Sequence, residues 1–339
     1  MLRILIVRPD RVGDVTTVTP LVREIKNKYP DAFIATLTKP STASILENNP
    51  NIDLILKDNQ ESFWKNVRAI RRCEFTHGFL LWPNERSAYL MFFGGIRYRV
   101  GVGSKLFQLI TGMKSISRNK YIPLRHETDY SMDFGRKLGI TTDNLQPEIF
   151  LTPKEKTEAK NFFKLKGILS NEKVVIVHTG SLSSAPNWSE QKYLQFINSI
   201  LSDDRLANVK VFLTAREMSD EFIDSALKLS PRVFNIVKET DDLRMLIKVI
   251  SNASSLIGSS TGPLHLASAL NINCIGLYCC EPMRCVKRWG AISTKAVNIE
   301  ISEDYCKSNC SPDKKTCAFE NGISIERVIQ ILIKQLSEG

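Results

Sequence analysis

The sequence predicts an α/β protein in two halves, each an open parallel sheet with helices on both faces. Three observations predict it. Short apolar runs such as Leu2–Val7 and Val174–His178 are uninterrupted, as in strands buried on both sides. They alternate with amphipathic helical windows, the pattern of parallel sheets with crossover helices. The chain has 339 residues, roughly the length of two domains.

In order, Leu2–Val7 reads as a buried strand and Thr19–Lys28 as a helix. Phe33–Leu37 and Leu54–Leu56 follow as strands, Glu61–Arg72 as a helix and Gly78–Trp82 as a strand. A helical window around Asp129–Leu138 ends at Gly139, a suitable C-cap. Thr141–Pro153 shows neither period and reads as the linker, which sets a first domain at 1–150. The alternation then restarts with helix Pro153–Lys166, strand Val174–His178, helix Glu190–Leu201, strand Val209–Thr214 and helix Ser219–Leu229. Phe234–Ile236, helix Asp242–Ser251, Ser255–Ile257, a helix from about Pro263 and strand Cys274–Tyr278 complete a second domain, 151–322. Apolar residues at 325, 329, 332 and 336 make the closing segment, 323–339, a helix. Ligands of such sheets bind beyond the carboxyl ends of the strands, so a cleft between the two halves is the expected site.

With 43% apolar and 24% charged residues, the chain has the make-up of a soluble globular protein, not a disordered one. Its longest apolar stretches, Phe79–Trp82 and Tyr89–Ile96, fall well short of the roughly 18–20 residues that cross a bilayer. The opening apolar run is cut off at Arg8-Pro9-Asp10-Arg11, too early for a signal peptide, and a cytoplasmic protein is expected. A chain of this size needs no disulfide framework, so its eight cysteines are expected as thiols. Cys306, Cys310 and Cys317, spaced C-x3-C-x6-C with no histidine near, lack the tight pairs of a zinc site, and no metal or cofactor is expected.

The chain carries 46 basic and 36 acidic residues, of which 22 and 15 lie in the first 150. Between Ser87 and His126 there is no Asp or Glu, while Arg97, Arg99, Lys105, Lys114, Arg118, Lys120 and Arg125 all fall there. Such a field attracts phosphates or an anionic membrane face, and an ordinary solvated face has the same composition. The adjoining Tyr89–Ile96 stretch fits a lipid surface or a buried segment. Neither stacking aromatics nor a basic recognition helix is evident, so nucleic acid is not an expected partner. No G-x-G-x-x-G follows the first strand and no Walker A sequence occurs, which removes the main support for dehydrogenase and P-loop readings.

Three loops could carry chemistry. In Val7–Pro20, Gly13 permits a tight turn. Asp14 can accept a proton from a hydroxyl while Arg8 and Arg11 hold an anion, or it can simply cap the following helix. In Ile257–Ala267, small residues precede Pro263 at a helix start, so Ser260, Thr261 and Gly262 can hold a diphosphate on hydroxyls and free amides. His265, one turn on, either reaches the same anion or is a hydrogen-bonded core residue. In Val175–Ser181 a strand ends in Thr179, Gly180 and Ser181, a second phosphate-facing loop or plain turn chemistry. Glu217 fits a ribose contact or a first-turn helix position.

Together these pieces resemble glycosyltransferase family 9, which contains the lipopolysaccharide heptosyltransferases. Arg11-Val-Gly-Asp14 is similar to its R-x-G-D loop, Val175–Ser181 with Trp188 to its small-residue loop before a tryptophan, and Ser260–Ala267 to D-[ST]-G-x-x-H-[LI]-A. The resemblance implies a GT-B fold and inverting, metal-independent transfer of a sugar from a nucleotide-sugar, ADP-heptose in the best-known members, to an anionic lipid-linked glycan. It implies an acceptor-binding first domain, with Asp14 as base and Arg8, Arg11, Gly13, Arg97 and Arg99 at the acceptor. The second domain would hold the donor through Thr179, Gly180, Ser181, Glu217, Ser260, Thr261, Gly262, Pro263 and His265, and the closing helix would pack back toward the first. A peripheral position at the inner face of the bacterial inner membrane is implied too. Ser260 stands where the family has an acid, and Pro186 where some members have a lysine. A member that binds nucleotide-sugar without transfer is therefore the alternative.

Overall fold

The computed structural model describes residues 1–181, 185–311 and 318–338. The chain divides into two compact units, Met1–Phe150 and Leu151–Gly339.

In the first unit, β1 (Arg3–Val7), α1 (Val12–Thr16), α2 (Thr19–Lys28), β2 (Phe33–Thr38), α3 (Pro40–Ala43) and β3 (Leu54–Lys57) come first. Then follow α4 (Phe63–Arg72), β4 (His77–Leu80), α5 (Glu85–Phe93), β5 (Tyr98–Val102), α6 (Leu106–Ile110), β6 (Lys114–Ile116) and α7 (Glu127–Arg136). All pairings are parallel, in the order β3-β2-β1-β4-β5-β6. Alternation along β1 sorts its side chains between two cores. Ile4 and Ile6 pack with Leu21, Val22 and Phe134 of α2 and α7, while Leu5 and Val7 pack with Val67, Ile70, Leu90 and Met91 of α4 and α5.

The second unit holds α8 (Pro153–Leu165), β7 (Lys173–His178), α9 (Glu190–Ser202), β8 (Val209–Leu213), α10 (Asp220–Leu229), β9 (Val233–Asn235) and α11 (Leu243–Ser251). It continues with β10 (Ser255–Ser259), α12 (Gly262–Ala269), β11 (Cys274–Tyr278), α13 (Val286–Trp289), β12 (Ala296–Glu300), α14 (Glu303–Asn309), α15 (Phe319–Gly322) and α16 (Ile325–Ser337). Its order is β12-β11-β10-β7-β8-β9, the same topology as the first sheet. Each sheet therefore has one point where the winding reverses, at β1/β4 and at β7/β10. Ligands of doubly wound sheets bind beyond the carboxyl ends there.

The closing helix α16 lays Val328, Ile329, Leu332 and Leu336 in the second unit's core, beside Val175, Phe196 and Ile275. Gln335 joins it to the sheet, bonding Ser255 and the carbonyl of Cys274. Gly139 does take the left-handed backbone of a C-cap, with φ of 71°. Gly13 does not: it lies inside α1 and makes no left-handed turn. Three strands escaped the pattern reading, β5 with its Arg99 and Gly101, the three-residue edge strand β6, and β12. No helix of the described residues is long and apolar enough to cross a membrane.

Candidate active site

Residues 8–14 leave the carboxyl end of β1 at the first switch point. Arg8 is buried and turns back under the loop. Its Nη1 donates to the carbonyl of Leu81, just past β4, at 3.1 Å. Its Nη2 is paired with Asp14 Oδ1 and lies 3.2 Å from Glu127 Oε1, and its Nε lies 3.1 Å from Asp10. Arg118 closes the group from the other side, 3.0 Å from the same Glu127 oxygen. Two arginines and three carboxylates thus alternate in a nearly dry space.

Burial alone disfavours charge on Arg8, yet the fields of Asp14, Asp10 and Glu127 hold its guanidinium above the usual range. Asp10 goes the other way. Burial pushes its carboxyl up to about 7, because Arg8 offsets only part of the desolvation and Asp14 and Glu127 add repulsion. Asp14 sits in the first turn of α1, whose N-cap is Arg11, and no side chain caps that helix. The capping alternative for Asp14 is therefore not what the fold uses. Its side chain keeps 18% of its surface exposed, against 1% for Glu127.

The other basic residues expected at the acceptor lie elsewhere. Arg11 is exposed at the head of α1. Arg99 is the second residue of β5 and Arg97 precedes that strand, at the amino edge of the sheet, whereas Arg8 follows the carboxyl end of β1. Arg99 Nε bonds the carbonyl of Thr111 at 2.9 Å and its guanidinium lies over Phe92. The structure does not bring this pair to Asp14.

At the second switch point, β7 ends in His178 and runs into Thr179, Gly180 and Ser181. Asn187 joins the two central strands: its Nδ2 bonds the Thr179 carbonyl, and its Oδ1 accepts from Ser259 of β10 and from Tyr193, each at 2.7 Å. A β-carbon at Gly180 would fall 2.4 Å from Cδ of Glu217, so the end of the Glu217 side chain lies against this loop. Glu217 precedes α10 instead of standing in its first turn. His178 bonds Thr214 at 3.0 Å, and burial drives its pKa down to about 4 against the opposing field of Glu217.

Thr261 is the N-cap of α12, with Gly262 and Pro263 opening the helix. The missing N–H of proline costs nothing there. Thr261 makes no side-chain capping bond. The hydroxyls of Thr261 and Thr179 are both buried and lack a hydrogen-bond partner among the described residues. A buried hydroxyl left unpaired is costly, and paired with the positive end of α12 it suits an anion. Ser260 hydrogen-bonds the buried phenol of Tyr278. His265 is buried with its ring against Trp289.

The structure thus gathers Arg8, Gly13 and Asp14 at one switch point, and Thr179, Gly180, Ser181, Ser260, Thr261, Gly262 and Pro263 with Glu217 at the other. Sequence reasoning missed Asp10, Arg118, Glu127, His178 and Asn187. Of these, Glu127 left a signal: an acidic residue ending a 40-residue run without one. Among the described residues no His, Cys, Asp and Glu group is arranged as a metal site, and the described cysteines are unbridged. Cys280 adjoins Cys306, and burial with that neighbour pushes its thiol up to about 12. Cys317 lies outside the described residues.

The family model for glycosyltransferase family 9 (heptosyltransferase) matches residues 63–321, most of the chain. The chain belongs to that family. It is a glycosyltransferase of GT-B fold. The match begins after the Asp14 loop, so that loop's role rests on its own geometry. Lipopolysaccharide heptosyltransferase 2 of Escherichia coli K12 is 23% identical over 82% of each chain. The solved glycosyltransferase family 9 structure from Veillonella parvula superposes with a TM-score of 0.82 at 19% identity, over 100% of this chain and 98% of that one. The E. coli ADP-heptose lipopolysaccharide heptosyltransferase II superposes at 0.79 and 18% identity, over 99% of each. These family 9 structures share the fold across the whole length.

Proposed function

We propose that this glycosyltransferase moves a heptose from ADP-heptose onto a lipopolysaccharide core or related surface glycan, inverting the anomeric centre without a metal. The first unit binds the anionic, lipid-linked acceptor, and the second binds the nucleotide-sugar. The observation that carries the reading is the pair of buried hydroxyls of Thr179 and Thr261, without a partner among the described residues, at the β7/β10 switch point beside the amides that open α12. A diphosphate satisfies both hydroxyls and meets the positive end of the helix. The relatives named for ADP-heptose and lipopolysaccharide supply the donor and acceptor class.

The chemistry is a single displacement. The acceptor oxygen bonds the anomeric carbon as the bond from that carbon to the diphosphate oxygen breaks. Arg8 holds Asp14 Oδ1, which leaves the second carboxylate oxygen to take the acceptor proton. The Thr261 and Gly262 amides, with the hydroxyls of Thr179 and Ser181, carry the charge that builds on the departing phosphate. Glu217 would serve the donor's ribose or sugar hydroxyls.

The test is transfer from ADP-heptose to a truncated lipopolysaccharide acceptor in the presence of a chelator. Asp14→Asn should lower turnover about 100-fold or more, the usual worth of a positioned base. Turnover close to the parent's would remove Asp14 from the chemistry. Tight ADP-heptose binding with no transfer to any acceptor would instead favour the non-catalytic reading that Ser260 and Pro186 suggest.

A further inference from the structure

The first unit carries an exposed apolar surface to which the proposed displacement gives no role. The short helix α6, with the sequence Leu-Phe-Gln-Leu-Ile, is built inside out. Its polar residue, Gln108, is only 3% exposed: Nε2 donates to the Val102 carbonyl at 2.9 Å and Oε1 accepts from the Lys105 amide at 2.8 Å. Its aliphatic residues face solvent, with Leu106, Leu109 and Ile110 at 72%, 78% and 58% exposure. A helix folding for packing alone puts such residues inward.

The apolar surface does not end there. At the C-terminal end of α6, Arg99 bonds the Thr111 carbonyl and lies 5.2 Å from the ring centre of Phe92. Phe92 touches Phe93, and Phe93 touches Trp64 of α4, with centroids 5.3 and 5.5 Å apart. All three rings are exposed, Trp64 by 56%. Basic groups border much of this strip, with Glu61, Glu74 and Glu85 exposed at the ends of α4 and the start of α5. Arg97, Lys105 and Lys114 are exposed around α6, and Arg71 and Arg72 are exposed on α4, where Arg71 Nε bonds the Phe93 carbonyl at 2.7 Å. Neither α4 nor the run from Ser87 to His126 contains an acid.

We propose that this strip docks the first unit on an anionic bilayer, with Leu106, Leu109 and Ile110 at the acyl boundary, Trp64 and Phe92 at headgroup depth, and the basic border on lipid phosphates. Exposed aliphatics with a largely cationic rim match a surface that is apolar inside and negative outside. Aromatic rings belong at that boundary. A second copy of the chain fits poorly, because a two-fold interface would set the same cations against one another. The inference deepens the reading of a lipid-linked acceptor and rests on it only for its purpose, since docking is measured without transfer.

The test is co-sedimentation of the full chain with phosphatidylcholine vesicles, with and without phosphatidylglycerol. Binding should require phosphatidylglycerol and weaken as salt rises. The double variant Leu106→Asp, Leu109→Asp should lose binding about tenfold or more, and Lys105→Glu with Lys114→Glu should lose the preference for anionic lipid. These residues are exposed, so transfer to a delipidated, soluble acceptor should match the parent's. No sedimentation of the parent with anionic vesicles, or unchanged binding by the aspartate variant, would overturn the proposal. So would a parent dimer that the aspartate variant splits while vesicle binding stays the same. Normal vesicle binding without sugar transfer would leave docking intact and sink the catalytic reading, and normal transfer without vesicle binding would do the reverse.

Discussion

At the β1/β4 switch point two arginines and three carboxylates neutralise one another inside the protein. At β7/β10 the buried polar groups are hydroxyls, an amide side chain and a neutral imidazole, and two of the hydroxyls find no partner among the described residues. The two sheets share one strand order, so topology does not explain the difference. A site that must accept a proton needs its charges fixed in advance, and the Arg8 cluster does this by pairing every carboxylate with an arginine. A site that must hold a diphosphate needs donors aimed at a place where charge arrives with the ligand. The contrast fits the proposal that the first unit takes the proton and the second binds the anion.

The sharpest way to break the comparison is to remove a charge from the first cluster. Glu127→Ala leaves two buried arginines short of a carboxylate and should destabilise the chain by about 3–5 kcal/mol in urea denaturation. Glu127→Gln, which keeps a hydrogen-bond acceptor, should cost less. A loss below about 1 kcal/mol for the alanine variant would mean that the cluster is solvated, not dry.

The next test uses pH, because the two switch points should respond with opposite sign. Asp10 has its folded pKa raised to about 7, so its contribution is complete below the unfolded carboxylate value and is lost as pH rises through 7. His178 has its folded value lowered to about 4, so its contribution is complete above the unfolded histidine value and is lost as pH falls through 4. At full extent the Asp10 effect amounts to about 4 kcal/mol and the His178 effect to about 3 kcal/mol. The two slopes oppose one another between pH 4 and about 6.5. Asp10→Asn should make stability climb more steeply with pH in that window, and His178→Asn should make it fall. Parallel profiles for the two variants would erase the distinction.

Some of this was legible in the residues and some was not. Helix Thr19–Lys28 lies where its apolar spacing put it, and Ser219 and Asp242 cap helices at the expected starts. The glycine and hydroxyl loops after β7 and β10 were readable because small residues at a strand end leave few alternatives. The Arg8 cluster was not. Glu127 is 119 residues from Arg8, and a buried ion pair has no periodic signature. Arg97 and Arg99 were grouped with Arg8 on charge density, which says nothing about which edge of a sheet a strand presents. Gln108 hid the inverted helix, since a pattern reading assigns Leu106 and Leu109 to the interior.

The smallest expected effect is on stability at the second switch point. Thr179→Val removes a hydroxyl that has no partner among the described residues and fills nearly the same volume, so stability should stay within about 0.5 kcal/mol of the parent's or rise. A large loss would show that the hydroxyl is already engaged by the protein.

The division of labour is tested most directly by calorimetric titration of ADP into Thr261→Val and Asp14→Asn. The valine variant should bind ADP about tenfold more weakly, the worth of one hydrogen bond to a charged phosphate, while the asparagine variant should bind it as tightly as the parent. Full ADP affinity in Thr261→Val together with a marked loss in Asp14→Asn would place the diphosphate at the wrong sheet and contradict the account.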